Sequence, residues 1–357
     1  MSLRTEVIMK KKTLLLTLAL VLTLAGCTNC SEGVVNYDLL ENSYSQNIDD
    51  TLFEQTVISV DIFSLSPWQI LTAVKYNGTW GFINIQGEWE IEPQFSAAMN
   101  FTSSGLAAVR VRDHWGFINV YGEMVIEPQF RGVWSFSKNY LAYASSDYGV
   151  GYIDTLGSWV IEPVFLYAEP FSNYGLAYVY DGDKTGFINT QGDWVLVKDS
   201  QFSLIGRFSE NGLAPALVNR MWGYIDTQGN FVVEAQFDNA RRFSTNGLAP
   251  VSIDGLWGYI NTRGETVIDP QFFDARPFSK IGLAEVCVEC CCSRLWGFIN
   301  TRGYLVIEPK FNSVTFFREN GLAAVLIDDK WGFINTQGDI AIEPQFEWVS
   351  LDLMMPF

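Results

Sequence analysis

An eight-residue phrase of the type Trp331-Gly332-Phe333-Ile334-Asn335-Thr336-Gln337-Gly338 recurs eight times in this chain, beginning at Trp80, Trp115, Val150, Thr185, Trp222, Trp257, Trp296 and Trp331. The step is 35 residues except for two steps of 37 and 39. A fixed period of this size means stacked copies of one supersecondary unit, none of which buries its apolar face alone. The period constrains the architecture closely and carries no chemistry of its own.

Within a unit, Asn335-Thr336-Gln337-Gly338 fits a hairpin loop built on a type I turn, with glycine in the left-handed position, so each phrase is a strand, a turn and a second strand. On the first strand Gly and Ile do not vary, as at Gly81 and Ile83, while the aromatic between them is Phe or Tyr. The Ile side is assigned to the core, and the Gly to a place where another backbone packs closely. The second strand, such as Met124-Val125-Ile126, is apolar at consecutive positions, which predicts a strand covered on both faces and ended by Glu127-Pro128. A third strand precedes the phrase, as in Ala323-Ala324-Val325, and Pro215 and Pro250 at its variable position place it at an edge or point that position away from a partner. Connectors such as Phe237 to Phe243 read as one helical turn or an irregular fourth strand. Where Trp is missing from the third and fourth phrases, Trp159 and Trp194 one strand later are expected to supply the same volume.

The N-terminus reads as an address. Met9-Lys10-Lys11-Lys12, an apolar run from Leu14 to Leu24, and Ala25-Gly26 before Cys27 form a charged region, a short hydrophobic region and a cleavage site. Leu24-Ala25-Gly26-Cys27 resembles the bacterial lipobox, which implies acylation, for instance by palmitate, of Cys27 as the new N-terminus. The expected division is a lipoprotein signal peptide over residues 1–26, an acidic tether over 27–51, an N-terminal cap over 52–70 and the repeat domain over 71–357. Formal net charge is −17, falling to roughly −20 once the signal is removed. An acidic surface of this size argues against a nucleic-acid partner and against anionic lipid as a binding surface.

No assembled catalytic constellation is visible. His114 is the single histidine, in a loop position occupied by Thr, Lys, Leu or Met elsewhere. The carboxylates Glu92, Glu127, Glu162, Glu234, Asp269, Glu308 and Glu343 recur because their turn recurs; as catalysts, two of them would have to face each other at about 5–10 Å. Cys287, Cys290, Cys291 and Cys292 form an insert in the seventh unit that is open to three readings: disulfides, a soft metal such as zinc or copper(I), or no role. No other cofactor is indicated. Trp80, Trp115, Trp222, Trp257, Trp296 and Trp331 stand at equivalent places and would line a ligand-binding row if solvent-facing; the core reading is preferred.

Trp-Gly-Phe-Ile-Asn-Thr-Gln-Gly, then an apolar strand ending Glu-Pro-Gln-Phe, then Phe-Ser-x-x-Gly-Leu-Ala, closely resembles the WG-containing repeat family of bacterial proteins, over about Leu71 to Val349. The resemblance implies an all-β fold, a variable repeat number and a binding or interaction role without shared catalytic residues. The expectation is therefore eight three-stranded antiparallel units in an open solenoid-like stack, with a closed eight-bladed propeller-like ring as the alternative. The functional expectation is a lipid-anchored extracytoplasmic lipoprotein, on the cell membrane or outer membrane, acting as a non-catalytic scaffold for a protein or envelope glycan. The alternative is a carbohydrate-active enzyme using carboxylates on one face.

Overall fold

The computed structural model describes residues 65–288 and 294–350. The expected signal peptide, the tether and all but residues 65–70 of the expected cap lie outside them. Three strands, β1 (Thr72–Tyr76), β2 (Thr79–Ile83) and β3 (Trp89–Phe95), are followed by a blade of four: β4 (Ala97–Ala98), β5 (Ala107–Val111), β6 (His114–Ile118) and β7 (Met124–Phe130). The order within the sheet is sequential and every pairing is antiparallel. Twenty-four further strands from Gly132 to Phe346 repeat this blade six times, and the last strand, β32 (Trp348–Val349), pairs with β1 through Val74↔Val349 and Lys75↔Trp348. Blade I is thus three strands from one end of the described chain and one from the other, and blades II to VIII follow in order.

The result is a closed eight-bladed β-propeller, so the open stack is corrected in favour of the ring. The three-stranded unit is corrected as well. The fourth strand is only two residues long, too short for a period-2 pattern to show, and it opens the connector that was read as a turn or an irregular strand. Ring closure is visible between blades too. The glycine at each phrase's hairpin sits on an aliphatic side chain of the preceding blade's last strand: Gly122 on Ile91, Gly264 on Val233, and across the closure Gly87 on Ile342.

Each hairpin is stabilised locally. Asn335 Oδ1 accepts from the backbone N–H of Gln337 and of Asp339, both at 3.0 Å, and Gly338 at φ 85° closes the turn. The strand before it is buried on both faces, because Phe82 packs with Ile91, Phe95 and Phe101 toward blade II, whereas Ile83 packs with Val74, Phe333 and Ile342 toward blade VIII. Ile153, Ile188 and Ile225 are all fully buried, as equivalence requires. At about 1.5–3 kcal/mol per large apolar side chain, each interface is held by several such residues.

The second strand of the phrase is the outermost of its blade and departs from expectation. Its burial alternates, with Val125 43 % exposed between buried neighbours on the blade side, so one face meets solvent. It also continues through Glu-Pro to Phe130. Glu-Pro-Gln forms a bulge opposite the phrase's glycine: Trp115 pairs with Phe130 and Phe117 with Ile126, leaving Gly116 facing the three residues between. Proline is tolerated there because the strand is an edge. Trp159 does not replace the missing Trp of its own phrase. It packs against Phe130 of the previous blade, rings 5.7 Å apart, whereas Trp222 packs toward the following blade.

Candidate functional site: the central channel

The innermost two-residue strands and the connectors after them surround a central cavity of about 610 Å³. Each connector begins with two wall residues, then a Phe that stacks on the Phe or Tyr of the preceding blade's phrase. Phe136 lies 4.8 Å from Phe117 and Phe243 lies 4.6 Å from Tyr224, ring centre to ring centre. These stacks hold the wall against the framework. In blade I the place of the connector is taken by a helical turn, α1 (Pro67–Ile70), and Trp68 and Gln69 line the cavity from it.

The wall is basic in an acidic molecule. Seven of the 23 basic residues line the channel, against four of the 40 acidic ones. Arg207 Nε donates to Glu169 Oε2 at 2.9 Å. Arg241 pairs with Asp274 at 3.0 Å, donates to the Ala275 carbonyl at 2.6 Å and lies 4.4 Å over the Trp257 ring. Arg276 donates to the Val314 carbonyl at 3.1 Å, stands 3.9 Å from Glu285 and covers Trp296 at 4.3 Å. Arg318 donates to Asn100 Oδ1 at 2.9 Å and to Thr72 Oγ1 at 3.2 Å. Nearer the loop tips, Lys138 of blade III reaches Glu210 of blade V at 2.5 Å, Asn173 of blade IV donates to the same carboxylate at 2.8 Å, and Glu319 receives Lys280 and Gln69.

Arg242 differs from all of these. It is half-buried, lines the channel and has no hydrogen bond or ion pair among the described residues. Burial and the charge of Arg207, at the equivalent position of the neighbouring connector, hold Arg242 below the usual arginine value. Glu285 is 1 % exposed, at a position occupied by Ala, Tyr or Pro in other blades, and burial pushes its carboxyl up to about 7 against the pull of Arg276 and Arg241. Its Oε2 and the Oγ of buried Ser209 have no hydrogen-bond partner among the described residues.

Framework and wall are joined by one substitution within the phrase. Where the aromatic is Tyr, its hydroxyl donates to the first wall residue of the next connector: Tyr152 to the Glu169 carbonyl, Tyr224 to Arg241 and Tyr259 to Arg276, at 2.7, 2.7 and 2.8 Å. Those three are the charged residues at that wall position; the Phe blades meet Met99, Trp134, Gly206, Thr315 and Ser350. The site was missed in the sequence because the connectors were read as one helical turn or an irregular strand and the residues before their Phe were given no role. The signal available was a Tyr in the phrase followed 17 residues later by a charged residue.

The residues singled out from sequence lie elsewhere. Cys27, Cys290, Cys291 and Cys292 fall outside the described residues. Cys287 ends the strand Ala284–Cys287 and is buried with Trp296 and Phe311, so it belongs to strand and core, not to a loop. Among the described residues no group of three His, Cys, Asp or Glu side chains is placed to hold a metal ion. Trp222, Trp257, Trp296 and Trp331 are buried, and Trp80 and Trp115 are half-buried in the same inter-blade positions, so they form no open row. Glu92, Glu127, Glu162, Glu234, Asp269, Glu308 and Glu343 sit one to a blade on outer strands, exposed and facing no common groove, and His114 is exposed at the start of β6.

No curated protein matches this sequence. Among solved structures, the fold is similar to that of the eukaryotic initiation factor, at 9 % identity over 80 % of this chain and 98 % of that one, with a TM-score of 0.53. It is also similar to dihydro-heme d1 dehydrogenase NirN in complex with DHE, at 11 % identity over 81 % and 75 %, with a TM-score of 0.52. At such identities the likeness is one of fold alone. The WG containing repeat profile matches residues 80–113, 115–144, 151–184, 186–220, 222–257, 257–289, 296–331 and 331–351. With eight matches, each running from the phrase of one blade into the inner strands of the next, this chain belongs to the WG-containing repeat family.

Proposed function

We propose that this protein is a lipid-anchored extracytoplasmic scaffold that binds a protein or envelope glycan at the channel face of its ring and catalyses no reaction. The observation that carries this reading is the contrast between framework and wall. Packing positions repeat from blade to blade because the same contacts repeat, whereas no two connectors carry the same pair of wall residues, and those pairs collect charge that packing does not need. A scaffold with one individualised concave surface is the form that binding sites take on repeat folds. The enzymatic alternative gains no support from the geometry, since the recurrent carboxylates stand apart on the ring's exterior.

The test enlarges the rim without touching the wall. Ser103 and Thr245 are exposed lining residues on opposite sides of the channel, and Ser103→Trp with Thr245→Trp narrows the entrance. Purified envelope proteins and glycans should bind the full chain by biolayer interferometry, and the double variant should lose at least tenfold in affinity while melting like the parent. Undiminished binding would place the partner elsewhere, and turnover of a bound glycan would overturn the non-catalytic reading.

A further inference from the structure

We infer that the arginine side of the channel binds the carboxylate of an acidic sugar, with Arg242 as its anchor and the tryptophans opposite as the platform for the sugar ring. The inference rests on the scaffold reading above and narrows its ligand to one chemical class.

Charge comes first. Blades V to VII bring Arg207, Arg241, Arg242 and Arg276 to one side of the channel, where Glu169 of blade IV, Asp274 and Glu285 oppose them, while Glu210 is paired with Lys138 nearer the loop tips. With all three acids ionised the sector keeps one positive charge, and it resides on the guanidinium that has no partner. A charged group drawn out of water without a counter-charge is costly, and a planar fork of donors matches a carboxylate in two parallel hydrogen bonds. One unbalanced positive charge suits a monoanion; a phosphate dianion would leave a negative excess beside Asp274 and Glu285. Ser209, 6 % exposed and next but one to Arg207, contributes a hydroxyl with no partner among the described residues. Buried polar groups are nearly always paired in native proteins, so an orphan in the same wall points to a partner that comes from outside.

Aromatic placement supplies the second half. An eight-bladed ring sets blade I opposite blade V and blade III opposite blade VII, which puts Trp68 across from Arg207 and Trp134 across from Arg276. Both indoles line the channel and both are half-buried, whereas no Trp of the repeated phrase lines it. An indole face takes the apolar face of a pyranose ring, and Thr102, Ser172 and Ser279 add lining hydroxyls around it. A cavity of about 610 Å³ is of a size that holds a small ligand. The chain carries a net charge of −17 while its channel is lined by more basic than acidic residues, so the outside repels a polyanion and recognition is confined to a unit that enters the channel.

Glu285 adds a pH dependence with a definite sign. It faces Arg276 and Arg241, with Asp274 and the Tyr259 hydroxyl on the same side, and burial raises its carboxyl to about 7. Below pH 7 it is protonated, the sector gains positive charge, and carboxylate binding tightens; above pH 7 the anion is repelled.

Calorimetry on the full chain with D-glucuronate, glucose, acetate and inorganic phosphate tests the inference. Glucuronate is expected to bind at least tenfold tighter than each of the others, and a short uronic acid oligomer distinguishes a chain end from a free sugar by binding more tightly than the monomer. Arg242→Gln and Trp134→Leu should each weaken glucuronate at least tenfold with the melting temperature unchanged. Affinity should rise from pH 8 to pH 6 in the parent and stay level in Glu285→Gln. Glucuronate binding that is absent or equal in Arg242→Gln overturns the site, and phosphate binding as tightly as glucuronate overturns the sugar class. Either failure, with envelope partners still lost in the rim variant, leaves the scaffold reading standing.

Discussion

The glycine of the repeated phrase is held by the strand outside it. A Cβ at Gly223 would lie 2.5 Å from the Val233 carbonyl oxygen and 2.7 Å from the Ala235 nitrogen, both backbone atoms in the bulge. Neither atom retreats as the tip of a side chain would. Gly223→Ala is therefore expected to destabilise the protein by about 2–3 kcal/mol, since overpacking against rigid backbone costs that much. Gly247→Ala is the control: it meets nothing within 4 Å but stands at φ 80°, a strain of about 1–2 kcal/mol. Denaturant unfolding of the two variants should rank Gly223→Ala as the more harmful, and the reverse order would remove the bulge as the reason for the invariant glycine. At the same scale, Tyr for Phe at residues 152, 224 and 259 adds one hydroxyl, which fixes a carbonyl of the channel wall.

At the scale of the element, a blade is graded from its outer strand to its inner one. The outer strand is seven residues long in most blades and half exposed; the inner one is two residues long and buried on its core side. Valines on the two make a direct comparison. Val306 on an outer strand is 40 % exposed, whereas Val349 on β32 is 1 % exposed and packs with Val74 and Phe346 where the ring closes. Val349→Asp buries a charge with no partner and should cost several kcal/mol, with amide exchange protection falling first in β1 to β3. Val306→Asp should stay within about 0.5 kcal/mol of the parent. Equal losses at both sites would mean that β32 does not close the ring.

For the whole molecule, closure converts eight equivalent interfaces into one structure with an inside. A stack would leave two ends in need of covers; the ring has none, and its connectors converge on one axis, where residues from non-adjacent blades meet, as Lys138 and Glu210 do. Seven of the chain's basic residues then converge in the channel, while most of its acidic residues lie outside it. Tethering is the other property of the whole chain. If Cys27 carries the acyl group, Cys27→Ser should move the protein from the membrane to the soluble fraction and abolish incorporation of labelled fatty acid. Continued partitioning of the variant into detergent would remove the anchor and leave the ring's binding site untouched.

Much of this was legible in residue order because it is local or periodic. Hairpin turns follow from Asn-Thr-Gln-Gly and its variants, three strands of each blade from apolar alternation, the buried Ile from its equivalence in every copy, and the family from the phrase itself. What stayed hidden depends on contacts between residues far apart in the chain. The two-residue inner strand has no period to detect, and closure rests on Val74 meeting Val349. Arg207 and Arg242 stand 35 residues apart in connectors that read as a helical turn or an irregular strand, and only the ring turns both inward. Sequence by itself determined the number of units and three of the four strands in each, since local turn chemistry and burial repeat with the period. Only the tertiary structure decided that the units close and that their least regular residues face one another, because closure is a property of how interface angles add around a ring.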